Sequence, residues 1–170
     1  MTISPVRLNH AVLFVSDVER SLRFYVDNLG MDVAIHEPRS NAAFLRLPRS
    51  GNHHDLGLFG VGGDGQRKRR GAIGLYHLAW QVDTIDELAS ARQILLDSGA
   101  YTGESSHGAT KSIYAVDPDG NEFEIMWMVP REEWGSYEHA SIVDHLDLAA
   151  EIKRWSGIKT AGDVVFKPAE

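Results

Sequence analysis

The pattern of apolar and polar positions occurs twice along the chain. Residues 8–17 align with residues 75–84, with Leu, His and Val in register 67 positions apart. Each stretch alternates as a short strand does, and each precedes a segment with apolar side chains at helical spacing. The predicted helices are residues 18–28 and 85–96, and each ends at a glycine turn. We therefore expect a strand followed by a helix at the start of each half.

Three short alternating runs follow each predicted helix. They are residues 32–36, 43–47 and 56–59 in the first half, and residues 101–102, 112–116 and 123–127 in the second. Turn residues separate the runs, most clearly in the Asp-Pro-Asp-Gly-Asn sequence at 117–121. The pattern predicts an α+β fold of two tandem βαβββ modules, at about residues 6–60 and 73–130, which form a curved mixed sheet.

Two segments lie outside the repeat. Residues 60–74 join the modules and carry a basic run at 67–70, for which we predict a solvated flexible loop. An anion or nucleic-acid patch is the alternative, and the acidic balance of the rest of the chain disfavours it. Residues 131–170 form a predicted C-terminal helical extension, in which 141–155 has the pattern of one amphipathic helix. We expect this helix to cover a sheet edge, a partner subunit or the mouth of the site.

Composition restricts the partners and the chemistry. Lys and Arg number 17 against 24 Asp and Glu, so the net charge of −7 disfavours binding to nucleic acid or to an anionic membrane. No apolar run approaches the ~18 residues of a membrane span, and no secretory leader is visible, so we expect a cytoplasmic protein. The chain has no cysteine and eight histidines. A metal would therefore be held by nitrogen and oxygen.

The repeat pairs two histidines. His10 and His77 occupy the same position in the first strand of each module. A lone histidine on a strand is more often a hydrogen-bonded core residue. Two histidines at equivalent positions project into the same concavity of a twofold-repeated fold, where they can chelate one ion. The pair therefore predicts metal binding.

A carboxylate on the last strand is the expected third ligand. Glu124 stands between Phe and Ile, where a carboxylate costs several kcal/mol unless it is paired or metal-bound. The equivalent position in the first module is Gly57, which has no side chain. Two histidines and one carboxylate leave coordination positions open, as non-haem Fe(II) requires. Asp55 is the one residue that would close the set, and Glu122 is expected to be solvated.

Three segments resemble the ligand-bearing segments of a known superfamily. Residues 8–10, 75–77 and 117–124 are similar to those of the vicinal oxygen chelate superfamily, also called the glyoxalase/bleomycin resistance/extradiol dioxygenase fold. The resemblance covers residues 6–130. Within the superfamily the chain looks most like the metal-binding half of the catechol extradiol dioxygenases, as a single-domain version.

The resemblance implies roles for three further residues. In the His-His-Asp stretch at 53–55, it assigns His54 as the acid–base residue, with His53 as the alternative. It assigns Tyr114 and His107 as hydrogen-bonding partners of the bound catechol. It also implies Fe(II) as the metal, with Mn(II) as the alternative, and a homodimer.

The sequence thus favours an extradiol ring-cleaving dioxygenase that acts on a catechol-type aromatic diol with dioxygen, in aromatic hydrocarbon catabolism. A glyoxalase-type metal-dependent isomerase or thiol transferase is one alternative, against which Gly57 argues because that chemistry needs a fourth protein ligand. A non-enzymatic drug-binding resistance protein is the other alternative.

Six large side chains could line either the core or the pocket, and we expect a buried role for each: Phe14, Phe44, Phe59, Trp80, Met126 and Trp127.

Overall fold

The computed structural model describes residues 2–63, 65 and 71–162. The basic run at 67–70, for which the sequence predicts a solvated loop, lies outside the described residues. The chain divides into two compact units, one for each half of the repeat. No helix among the described residues is both long and apolar enough to cross a membrane.

The first unit is a four-stranded mixed sheet with one long helix. Its elements are β1 (Ala11–Val15), α1 (Val18–Leu29), β2 (Asp32–Glu37), β3 (Ala42–Arg46) and β4 (Leu56–Gly60). The strand order is β1-β4-β3-β2. β1 runs parallel to β4, and the other two pairings are antiparallel.

The second unit repeats this arrangement. Its elements are β5 (His77–Gln81), α2 (Ile85–Asp97), β6 (Tyr101–Ser106), β7 (Thr110–Val116) and β8 (Glu122–Met128). The order β5-β8-β7-β6 and the strand directions match those of the first sheet. The prediction of an α+β fold with two βαβββ modules is confirmed, and each module has its own mixed sheet.

Capping residues explain where the two helices begin and end. The side chain of Asp17 accepts a hydrogen bond from the backbone N–H of Arg20, and Thr84 does the same for Glu87. Gly30 follows α1 with φ 64°, and Gly99 follows α2 with φ 73°. Both glycines adopt the left-handed conformation that the sequence predicts for these turns.

One face of each sheet packs against its helix, and the other face carries the candidate site residues. Leu56 and Leu58 on β4 are fully buried, as are Phe123 and Trp127 on β8. Glu124 and Met126 alternate with Phe123 and Trp127 along β8, so they point to the opposite face. The expected burial is correct for Trp127.

The first sheet exposes an aromatic residue that the sequence places in the core. The side chain of Phe14 is 73% exposed, so the expected burial is wrong for this residue. Phe14 lies on the face opposite Leu13 and Val15, which pack into the core. Alternation alone does not tell which face of a strand meets the helix.

The C-terminal extension contains a shorter helix than predicted. Two 3₁₀ turns, Arg131–Glu133 and Gly135–His139, precede α3 (Leu148–Trp155). The expected helical start at residue 141 is therefore wrong. Asp144 instead forms an antiparallel bridge with Ser106 at the edge of the second sheet, and Asp147 caps α3 by accepting from the N–H of Ala150.

Candidate metal centre

His77 and Glu124 lie together on the open face of the second sheet. His77 begins β5, Glu124 lies within the adjacent β8, and the histidine Nε2 is 3.0 Å from a carboxylate oxygen of Glu124. Two ligands about 2.1 Å from one divalent ion, at right angles, lie about 3.0 Å apart. The observed separation therefore fits either a hydrogen bond or two adjacent positions around a metal ion.

Ser112 holds the second oxygen of Glu124. Its hydroxyl donates to Glu124 Oε1 over 2.5 Å, and Ser112 is fully buried while Glu124 is 8% exposed. A buried carboxylate aimed by a hydrogen bond is typical of metal ligands, whose outer partners fix their orientation. The sequence analysis missed Ser112. Its signal is a small polar residue on the same face of β7 as Tyr114.

Glu122 lies on the other side of the His77 ring. The buried Nδ1 of His77 has no hydrogen-bond partner among the described residues, and the nearest carboxylate oxygen of Glu122 is 3.8 Å away. A histidine that binds metal through Nε2 donates its Nδ1–H to a carboxylate or carbonyl. Glu122 thus lies on this side of the ring but beyond hydrogen-bond distance, and its side chain is 30% exposed.

The strand pairings relate Glu124 to Gly57 as the repeat predicts. Gly57 pairs with Val12 and Phe44 in the first sheet, and Glu124 pairs with Ala79 and Tyr114 in the second. An ideal Cβ at Gly57 would lie 3.3 Å from the Val12 side chain. The first sheet thus has no carboxylate at this position, and a side chain there would require a small shift of Val12.

His10 precedes β1 by one residue and belongs to the first unit. Its Nδ1 lies 3.0 Å from the side-chain oxygen of Asn9, and the Asn9 amide nitrogen donates to Asn52. A hydrogen on Nδ1 satisfies the Asn9 oxygen and leaves the lone pair of His10 on Nε2. This is the tautomer that can bind a metal ion through Nε2.

His54 packs beside His10. Their ring centroids are 4.4 Å apart, and the ring of Phe44 lies edge-on to His54 at 5.2 Å. Burial, together with the neighbouring His10 and His53, lowers the pKa of His54, and the opposing effect of Asp55 is smaller. His53 approaches His54 through its Nδ1 at 3.1 Å.

The carboxylate of Asp55 is hydrogen-bonded within its own loop. It is 5% exposed, and its carboxylate accepts hydrogen bonds from the Leu47 N–H, the Ser50 hydroxyl and the Asn52 amide at 2.6–2.7 Å. These donors use both oxygens to close the loop between β3 and β4. These contacts give Asp55 a structural role in this loop.

His107 and Tyr114 meet in a cleft beside Glu124. The cleft has a volume of about 500 Å³, and His77, Glu124 and Val143 line it with them. His107 Nε2 is 2.7 Å from the Tyr114 hydroxyl, and its Nδ1 is 2.8 Å from the backbone carbonyl of Ile142 in the extension. The structure therefore brings these two predicted residues together.

The structure gathers two of the three predicted ligands. His77 and Glu124 are in contact in the second unit, and His10 belongs to the first. Within either unit, the described residues bring no three His, Asp or Glu side chains together in an arrangement suited to a metal ion.

The chain is similar to dioxygenases of aromatic diols. It is 35% identical over 143 residues to biphenyl-2,3-diol 1,2-dioxygenase 3 of Rhodococcus globerulus, covering 82% of this chain and 73% of that protein. It is 30% identical over 127 residues to catechol-2,3-dioxygenase of Bacillus subtilis (strain 168), covering 75% of this chain but only 43% of that protein. The chain thus spans less than half of the Bacillus relative.

Solved structures agree on the fold. The glyoxylase/bleomycin resistance protein/dioxygenase domain from Frankia sp. EAN1pec superposes with a TM-score of 0.64 at 23% identity, covering 74% of this chain and 100% of that domain. Residues 7–125 match the profile of the glyoxalase/bleomycin resistance protein/dioxygenase superfamily. With the double βαβββ fold and the first of these relatives, the match shows that the chain belongs to this superfamily.

Proposed function

We propose that the protein is an extradiol ring-cleaving dioxygenase that acts on a catechol-type diol. The observation that carries the proposal is the contact between His77 and Glu124 on the open face of the second sheet, beside the His107–Tyr114 pair. The names of the two dioxygenase relatives support the same reaction class.

The proposed metal ligands are His77, Glu124 and His10, with Fe(II) as the metal and Mn(II) as the alternative. His10 enters as the third ligand through the repeat, because it stands in the first module where His77 stands in the second. Bound Fe(II) would supply a Lewis acid with open positions for both diol oxygens and for dioxygen. Ser112 and Glu122 would orient the ligands from outside.

The remaining residues bind and orient the substrate. Tyr114 and His107 would hold one diol oxygen by hydrogen bonds, which fixes the ring relative to the reacting carbon. His54 would take the proton of the second hydroxyl and return it later in the cycle. These roles keep proton transfer in the first unit and substrate orientation in the second.

We also propose a homodimer in solution.

Loading with iron followed by a catechol panel tests the proposal. We expect the full chain, loaded anaerobically with Fe(II), to convert at least one catechol to a yellow ring-fission product in the presence of dioxygen. His10→Ala, His77→Ala and Glu124→Ala should each lose stoichiometric iron and nearly all ring cleavage while the far-ultraviolet circular dichroism is unchanged.

Glu122→Gln is the matched control, because it removes a carboxylate on the same face of β8. This variant should retain iron with an affinity lowered no more than about 10–100-fold, as expected for an outer partner. Retention of iron and turnover by any of the three alanine variants would remove that residue from the ligand set. No cleavage of any catechol by the iron-loaded parent would refute the dioxygenase proposal.

A further inference from the structure

The C-terminal extension contacts the hairpin that carries His107 and Tyr114. Asp144 and Ser106 exchange two backbone hydrogen bonds of 2.9 Å, which add the extension to the edge of β6. Two residues before Asp144, the Ile142 carbonyl is 2.8 Å from His107 Nδ1. The extension thus supplies a direct partner to the ring that touches Tyr114.

This carbonyl determines the tautomer of His107. A neutral imidazole has one donor nitrogen and one acceptor nitrogen, and a carbonyl can only accept. The hydrogen of His107 therefore lies on Nδ1, and Nε2 is the acceptor. The hydroxyls of Tyr114 and Ser105 lie 2.7 Å and 2.9 Å from Nε2, and either of them can donate to its one lone pair. Without the Ile142 carbonyl, the ring could place its hydrogen on Nε2 and reverse its role toward Tyr114.

An ion pair between buried Lys111 and partly buried Glu151 joins the extension to the same hairpin. The Lys111 ammonium is 2.8 Å from a carboxylate oxygen of Glu151 on α3 and donates to the Ser106 hydroxyl over 2.9 Å. Lys111 is only 7% exposed. It lies on the face of β7 opposite Ser112 and Tyr114, so it does not line the cleft. Its ammonium therefore connects β7, β6 and α3 from behind the site.

Packing holds the segment between the bridge and the helix. Leu146 is 2% exposed and lies between Asp144 and the start of α3. At the end of α3, the ring centroid of Trp155 is 6.2 Å from that of Trp127, a core residue of β8. The segment from Ile142 to Trp155 is thus attached to the second unit at both ends.

We infer that residues 142–151 of the extension position His107 for substrate binding. The Ile142 carbonyl sets the tautomer, and the Lys111–Glu151 pair keeps that carbonyl at hydrogen-bonding distance. Lys111 and Glu151 are positioning residues, because neither lines the cleft. The consequence for catalysis rests on the proposed function, whereas the tautomer of His107 is a property of the chain itself.

A charge-free replacement of the ion pair tests this inference. Replacing a buried ion pair with apolar residues often preserves stability, so the double variant Lys111→Met/Glu151→Leu should fold. We would record ¹⁵N spectra of the histidine side chains in the chelator-treated full chain and assign His107 by its loss in His107→Gln. The parent should show the Nδ1–H tautomer, and the double variant a mixture. In the iron-loaded protein, the KM for catechol should rise about tenfold while kcat falls less than threefold, because Tyr114 and His107 hold the substrate.

The matched control is the exposed ion pair on the same extension, between Arg154 and Glu133 at 3.2 Å. Arg154→Met/Glu133→Leu should leave both the tautomer and KM unchanged. If the buried-pair double variant unfolds, Glu151→Gln gives a milder change with the same readouts.

Two results would overturn the inference: an Nε2–H tautomer in the parent, or an unchanged tautomer and KM in the folded buried-pair variant. A parent that cleaves no catechol would refute the proposed function, and the tautomer measurement would still decide the inference.

Discussion

At the scale of single residues, His54 packs beside two other rings and has the proposed acid–base role, which a phenylalanine ring cannot fill. Its ring lies between those of His10 and Phe44. In His54→Phe the new ring would keep this packing but could not accept a proton. We expect the iron content to be unchanged and kcat to fall by about 10²–10⁴-fold, the usual contribution of general acid–base catalysis. Metal analysis and steady-state kinetics would measure both quantities.

The neighbouring His53 gives the control for this prediction. His53→Phe changes the same residue type one position earlier and should lower kcat by less than threefold if His54 is the acid–base residue. A larger effect at His53 than at His54 would exchange the two roles. Loss of iron in His54→Phe would make His54 a ligand and contradict the proposed ligand set.

At the scale of elements, β4 and β8 occupy equivalent places but differ at the position of the proposed carboxylate ligand. Gly57 stands where β8 carries Glu124. Gly57→Glu would supply a second carboxylate, so we expect metal affinity at least equal to that of the parent and loss of ring cleavage, because an open coordination position is filled. Titration with Fe(II) and a catechol assay would measure the two effects.

Gly57→Ala separates steric effects from those of the carboxylate. The added Cβ would lie 3.3 Å from Val12 and 3.4 Å from Phe44, so these side chains must shift by a few tenths of an ångström. We expect the alanine variant to unfold with a free energy lower by about 1 kcal/mol and to keep ring cleavage. Ring cleavage by Gly57→Glu at the parent's rate would contradict the proposal that ring cleavage needs open coordination positions at the metal. If the parent cleaves no catechol and Gly57→Glu gains isomerase activity, the result would favour the glyoxalase-type alternative.

At the scale of the whole molecule, Asp86 joins the start of α2 to the residues that follow α3 in the extension. Its carboxylate accepts hydrogen bonds from the Gly157 N–H at 2.7 Å and the Ser156 hydroxyl at 2.9 Å. These bonds hold the pKa of Asp86 below its ordinary value. A carboxyl with a lowered pKa stabilises the folded state above its unfolded pKa of about 4, and this contribution is lost as the pH falls through the folded-state pKa.

The expected result is a pH-dependent difference between the parent and Asp86→Asn. The parent should be more stable at neutral pH, and its advantage should shrink as the pH falls below about 4. Thermal unfolding from neutral to acidic pH would measure the difference. Asp97→Asn is the control, because the Asp97 carboxylate at the other end of α2 accepts from Gln93 of the same helix and not from the extension. A constant difference between the parent and Asp86→Asn would show that ionisation of Asp86 does not link the extension to α2.

The sequence by itself determined the repeated architecture and the types of residue at the candidate site. Local signals carry this information: alternation defines the strands, helical spacing defines α1 and α2, and residues such as Asp17 and Gly30 mark the helix ends through short-range hydrogen bonds and backbone preferences. The equivalence of Gly57 and Glu124 follows from the same repeat, because equal spacing gives equal register in the two sheets.

Tertiary structure decided what the local pattern leaves open. Phe14 and Trp127 both lie in short apolar strands, and only packing shows that Phe14 is exposed and Trp127 is buried. The segment before Leu148 pairs with β6 instead of forming helix, because the exposed edge at Ser106 offers backbone partners that helical spacing does not reveal. The same long-range contact brings the Ile142 carbonyl to His107, two residues 35 positions apart in the chain. Hydrogen bonds between distant segments depend on chain folding, so no local pattern could specify them.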